Sequence, residues 1–142
     1  MASFECGPSG GSGGNWFGDG VPADGVGVSQ ILVWHGDYID AIQLKFSDGT
    51  MTPKHGGSGG NLTTFALGPG EFISMLSGRY GSYIDSLTIS TNVKNFPAIG
   101  GNGGSQDYIY GAFTNAEVIG FIGASGSYMD ALGIVARSRL AI

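Results

Sequence analysis

The chain has 142 residues, a net charge of −5 with only six lysines and arginines, a single cysteine and 28 glycines. That length suits one domain, residues 1–142, with a core of its own. The charge is too sparse and too negative to assemble the basic face that nucleic acid requires, and no apolar run approaches the ~18 residues of a membrane-spanning helix. Glycine at roughly three times its usual share of ~7% would fit a disordered or fibrous chain. Two Trp, six Tyr and eight Phe argue for a packed core instead.

In chain order, the segment Met1 to Pro8 carries neither the basic nor the apolar stretch of a secretory signal. The expectation is a cytoplasmic chain, one released by a non-classical route, or one exported with a signal that this sequence does not carry. Cys6 has no internal partner and reads as a small, inert hydrophobe. Gly10-Gly11-Ser12-Gly13-Gly14 is the first of three glycine-rich blocks. The Gly- and Asp-rich stretch Val21 to Val28 is an insertion, expected to reshape the rim of a neighbouring site. Ile31 to Trp34 predicts a short buried strand, Gly36-Asp37-Tyr38-Ile39-Asp40 a polar loop, and the alternation of Ile42, Leu44 and Phe46 a half-buried strand. The pattern then returns: Gly56 to Gly60, a strand over Asn61 to Leu67, the turn Gly68-Pro69-Gly70, a strand over Phe72 to Leu76, Gly81-Ser82-Tyr83-Ile84-Asp85, and alternating Leu87 and Ile89. It returns again with Gly100-Gly101-Asn102-Gly103-Gly104, Tyr108 to Tyr110, Val118 to Ile122, Gly126-Ser127-Tyr128-Met129-Asp130, and Leu132 with Ile134.

Asp40, Asp85 and Asp130 stand 45 residues apart, and the glycine-rich blocks keep the same beat. The chain is three copies of one unit. The third copy is short of residues after Asp130, and Met1 to Ser9 is the segment that completes it. No window holds a helical period free of Gly or Pro. The class is therefore all-β, with four strands per unit in three antiparallel sheets that bury their apolar faces together.

The repeated loops carry the chemistry. A glycine allows a tight turn whose N–H groups have no ladder partner. An ionised Asp, which only accepts, takes hydrogen bonds from two hydroxyls while backbone N–H groups donate to the same oxygens. A Tyr offers a ring face to the C–H face of a sugar. The glycine-rich block lets backbone approach a ligand closely. A single copy would read as ordinary turn chemistry. Turn geometry, however, does not demand a Tyr two residues before each of three aspartates. The glycine-rich blocks are not phosphate loops, since no Gly-Lys-Ser/Thr and no helix follow. His35 and His55 stand apart and read as surface residues rather than metal ligands. Only the first copy pairs two acids, Asp37 and Asp40, so no catalytic set is expected; no cofactor and no metal are expected either.

Threefold Gly-Gly-X-Gly-Gly together with threefold Gly-X-Tyr-X-Asp resembles the jacalin-related lectins over nearly the whole chain. The resemblance implies a β-prism I fold of three four-stranded Greek-key sheets with pseudo-threefold symmetry. It also implies multivalent binding of mannose- or glucose-type sugars on glycans and glycoproteins. It groups Asp37, Tyr38 and Asp40 with Gly60, then Ser82, Tyr83 and Asp85 with Gly104, and Ser127, Tyr128 and Asp130 with Gly14. Galactose-specific members depend on a cleaved chain with a free N-terminal Gly; this chain runs unbroken through Gly10 to Gly14, which favours mannose. Asn102 departs from the Ser of the other blocks. Asn61-Leu62-Thr63 is a formal glycosylation sequon that a glycan would turn against the adjacent site, so it is expected unmodified. Homodimers can form, with or without exchange of the N-terminal segment. The competing readings are a β-prism that serves only structure or protein interaction and, weakest, a glycosidase.

Overall fold

The computed structural model describes residues 2–139 and contains twelve strands and no helix among them. They are β1 (Ser3–Gly10), β2 (Asn15–Gly18), β3 (Val28–His35), β4 (Ile39–Phe46), β5 (His55–Gly56), β6 (Asn61–Ala66), β7 (Ile73–Tyr80), β8 (Ile84–Thr91), β9 (Ile99–Gly100), β10 (Gln106–Tyr110), β11 (Ala116–Ser125) and β12 (Met129–Ser138). Three four-stranded antiparallel sheets result, ordered β5-β4-β3-β6, β10-β7-β8-β9 and β1-β12-β11-β2. In each, a central hairpin carries the Gly-X-Tyr-X-Asp loop at its tip. The two outer strands are joined by a glycine-rich block that crosses the end of the sheet above that tip.

Period-2 alternation places the cores as expected. Ile42, Leu44 and Phe46, then Leu87 and Ile89, then Leu132 and Ile134 are all buried, and they join one cluster drawn from all three sheets. Each such side chain contributes about 1.5–3 kcal/mol when removed from water, and no single sheet could gain this alone. The third sheet closes as the arithmetic of the repeat requires. β1 pairs with β12, Ser3 opposite Arg137 through Gly10 opposite Ala131, and β2 pairs with β11.

The Val21 to Val28 insertion lies elsewhere than expected. Arg137 near the end of β12, buried and paired with Glu117 of β11 at 3.1 Å, donates to the carbonyls of Pro22, Ala23 and Val26. The insertion is tied to strand ends remote from the β11–β12 hairpin tip, not to a loop rim. His55 also departs from its surface reading. It is buried, stacked on Phe17 with centroids 3.9 Å apart, and its Nε2 meets Asp19 Oδ1 at 2.7 Å. The other Asp19 oxygen accepts from the Phe121 amide at 2.9 Å, so this pair bolts the first sheet to the third.

Candidate functional site

Each hairpin tip is closed in the same way: the Gly36 N–H donates to the Tyr38 carbonyl, Gly81 to Tyr83 and Gly126 to Tyr128, at 2.9, 3.0 and 3.0 Å. Immediately afterwards the strand register skips one residue. His35 pairs with Ile39 and Trp34 with Ala41, passing over Asp40. Tyr80 pairs with Ile84 and Arg79 with Ser86, passing over Asp85. Ser125 pairs with Met129 and Ala124 with Ala131, passing over Asp130. The three aspartates are thus the extra residues of three equivalent β-bulges, a device that re-aims a side chain. Ile39, Ile84 and Met129, just before them, are fully buried and plug the core from above.

The aspartate main chain holds the glycine-rich block. Gly57, Gly101 and Gly11 donate their N–H groups to the carbonyls of Asp40, Asp85 and Asp130 at 3.0, 2.8 and 2.9 Å. At the far end of each block, Gly60, Gly104 and Gly14 sit at φ of 85°, 90° and 79°, a region that disfavours any side chain. A Cβ on Gly60 would lie 2.9 Å from Asp40 Oδ1, on Gly104 3.0 Å from Asp85 Oδ1 and on Gly14 2.6 Å from Asp130 Oδ1. The structure therefore brings together the aspartate and terminal glycine of all three expected groupings. Asp37, Ser82 and Ser127 lie exposed on the same tips.

Two features were not visible in the sequence. First, each glycine-rich block also abuts the hairpin tip of a neighbouring sheet. A Cβ on Gly57 would strike the main chain of Ser127, on Gly11 that of Ser82 and on Gly101 that of Asp37. The hollow at Asp40, about 320 Å³, is accordingly lined by Gly57, Ser58 and Gly59 together with Gly126, Ser127 and Tyr128. The hollow at Asp130, about 310 Å³, is lined by Gly11, Ser12 and Gly13 with Gly81, Ser82 and Tyr83. Each opening is shared between two tips. Second, Tyr38, Tyr83 and Tyr128 converge: their ring centroids are 4.9, 4.9 and 5.0 Å apart, three tilted rings packed around the pseudo-threefold axis. Tilted aromatic pairs at this spacing contribute about 0.5–1.5 kcal/mol each beyond burial. The Tyr repeated at one position of each copy is the sequence trace of this cluster, but it does not by itself say that the rings meet.

Asp40, Asp85 and Asp130 are 6, 6 and 7% exposed. None of them is paired with a cation or bonded to another side chain among the described residues. Burial raises the pKa of all three. At Asp40 the nearby His35 opposes this and Asp37 adds to it. At Asp85 the Gly81 N–H and Arg79 oppose it. A carboxylate that has lost most of its water and makes no ion pair keeps its lone pairs free for hydrogen-bond donors.

The jacalin-like lectin domain matches residues 6–135. This chain belongs to the jacalin-like lectin family. Griffithsin from Griffithsia sp. is 42% identical over 127 residues, covering 88% of this chain and 90% of that protein. A mannose/glucose-specific lectin from Parkia pendula is 30% identical over 154 residues; the match covers 99% of this chain, which spans only 33% of that longer protein. The solved structure of a mannose-specific jacalin-related lectin from Morus nigra, in complex with mannose, matches with a TM-score of 0.83 at 30% identity, covering 96% of this chain and 95% of the other. The three-sheet arrangement is the β-prism of this lectin family.

Proposed function

We propose that the chain binds mannose- or glucose-type sugars on high-mannose glycans, multivalently and without turnover. Asp40, Asp85 and Asp130 are the anchors. Each carboxylate accepts from two hydroxyls of one hexose. The N–H groups of Gly60, Gly104 and Gly14, and of the tip residues Asp37 and Tyr38, Ser82 and Tyr83, and Ser127 and Tyr128, donate to sugar oxygens. The tyrosine rings offer the apolar contact. The observation that carries this reading is the triplicate bulge, which aims a desolvated, unpaired carboxylate at a glycine-rich wall three times around one axis. Relatives whose names state mannose binding support the sugar class.

One open site of this kind supplies on the order of −4 kcal/mol, a dissociation constant near 1 mM. Three sites at one end of the prism raise avidity for a branched glycan by roughly 10²–10⁴ when the spacing fits. The test is calorimetry with methyl α-mannoside, and glycan-array binding, on the wild type and on Asp40→Asn/Asp85→Asn/Asp130→Asn. Wild-type binding that disappears in the triple variant is the expected result. Binding that survives removes the anchor assignment. A wild type that binds no sugar, with a triple variant that loses thermal stability, favours a purely structural role for these loops.

A further inference from the structure

The residue after each site aspartate begins a cross-strand row, and the three rows differ. In the third sheet the row runs Gly10, Ala131, Ala124, Trp16. In the first it runs Gly56, Ala41, Trp34, Leu62, and in the second Gly100, Ser86, Arg79, Asp107. The next residues along the outer strands β2 and β10, Phe17 and Tyr108, pack into the shared core. Strand alternation therefore turns Trp16 and Asp107 to the outer face, beside their pockets.

The chemistry of those outer faces is not interchangeable. In the first sheet the Lys54 ammonium lies 4.1 Å from the centre of the Trp34 ring, which is thereby engaged. In the second, Arg79 pairs with Asp107 at 2.6 Å and also donates from Nε and Nη2 to the Gly104 carbonyl, bracing the glycine-rich block of the Asp85 pocket. In the third, Trp16 is 66% exposed, and its row neighbours are only Ala and Gly. No ring or cation stacks on it among the described residues. An indole costs free energy when left in water. This one stands two residues, about 7 Å of strand, beyond Gly14, which abuts the Asp130 carboxylate.

We propose that Trp16 is a stacking platform for the second hexose ring of an oligosaccharide whose terminal residue is held at Asp130. The Asp130 site then prefers disaccharides, while the Asp85 site, bordered by an ion pair, shows no such preference. This rests on the reading of the three aspartates as sugar anchors. The ligand face involved is the C–H face of a hexose, which matches an indole in being flat, apolar and edged with polar groups.

The experiment isolates single sites. Asp40→Asn/Asp85→Asn leaves only the Asp130 site, and Asp40→Asn/Asp130→Asn leaves only the Asp85 site. For each protein, affinities for an α-linked mannobiose and for methyl α-mannoside are measured by calorimetry, and their ratio is taken. The ratio is expected to be about three- to tenfold higher for the Asp130 site. Trp16→Ala should bring it down to the value of the Asp85 site, and Trp16→Phe should retain part of the difference. Indole emission should respond to mannobiose in the Asp130-only protein and lose that response in Trp16→Ala. An equal ratio at the two sites, or one unchanged by Trp16→Ala, overturns the platform. Absence of methyl α-mannoside binding in the wild type identifies the anchor reading as the part that failed, and the platform falls with it.

Discussion

A single methyl group placed at Gly56 or at Gly59 separates what the glycine-rich block does for the fold from what it does for the pocket. Gly56 has a φ of 127°, and a Cβ there would lie 2.6 Å from Ala41 Cα and 2.7 Å from Ala41 Cβ, and closer still to the Asp40 carbonyl. Main chain cannot swing aside, so β5 must leave β4, and the backbone strain alone is on the order of 1–3 kcal/mol. At about 2–4 °C per kcal/mol for a chain of this size, Gly56→Ala should lower Tm by roughly 2–12 °C. Gly59 has an ordinary φ, and its Cβ would meet only Asp40 Oδ2, at 3.1 Å, the free end of a side chain. Gly59→Ala should hold stability within about 0.5 kcal/mol. It should also displace the carboxylate proposed as the sugar anchor, losing charge-assisted hydrogen bonds of about 1.5–3 kcal/mol, or roughly tenfold to a hundredfold in affinity. Scanning fluorimetry gives Tm, and calorimetry with methyl α-mannoside in an Asp85→Asn/Asp130→Asn background gives the affinity. Equal loss of Tm in the two variants, or undiminished affinity in Gly59→Ala, would refute the division of labour. The corresponding contacts are tighter at Gly13 (2.7 Å from Asp130 Oδ2) and Gly103 (2.5 Å from Asp85 Oδ2), so Ala there should cost those sites more.

Stability and binding should move in opposite directions with pH. Burial raises the pKa of Asp40, Asp85 and Asp130 above their unfolded values. The stability they contribute is fully present below the unfolded value and is lost as pH rises through the raised one. Sugar affinity, which under the proposed anchoring needs the ionised form, should fall as pH drops through that same window. The triple Asp→Asn protein should be at least as stable as wild type at neutral pH, as read by chemical denaturation. Asp19→Ala leaves His55 and the Phe121 amide without their acceptor and should cost at least about 1–3 kcal/mol, seen as a lower urea midpoint. Tyr38→Ala removes two of the three axial ring contacts, so it should weaken binding in an Asp85-only protein as well as in an Asp40-only one. An effect confined to the Asp40 site would mean that the rings act separately.

Much of this architecture could be read from the order of residues. Ile42, Leu44 and Phe46, with their counterparts, set the strand faces because alternation is a local property. The shortage of chain after Asp130 required the N-terminus to complete the third sheet, and β1 does so opposite β12. The pairing of Asp130 with Gly14 was implied by the family resemblance and agrees with the same count. What escaped depends on registration between distant segments. A bulge changes pairing by one residue without a distinctive letter at Asp40, Asp85 or Asp130. The meeting of Tyr38, Tyr83 and Tyr128 requires all three sheets at once. His55 has nothing local to mark it as buried, because its partner Asp19 lies 36 residues earlier. The Val21 to Val28 stretch was placed at a site rim by composition alone, whereas three carbonyl contacts to Arg137, more than a hundred residues later, decide its position.

Closure of the third sheet has a consequence during synthesis. Within this domain β1 and β2 are made before the other strands but pair with β12 and β11, the last two of the twelve described. At about 5–20 residues per second, the intervening hundred or so residues take on the order of 5–20 s to appear. For that interval the first two sheets can form while β1 and β2 wait with open edges. Such edges invite pairing with any other chain, and another nascent copy offers the same complement. Where copies exchange these strands, growth conditions that change translation speed or polysome density should shift the balance between closure within a chain and closure between chains.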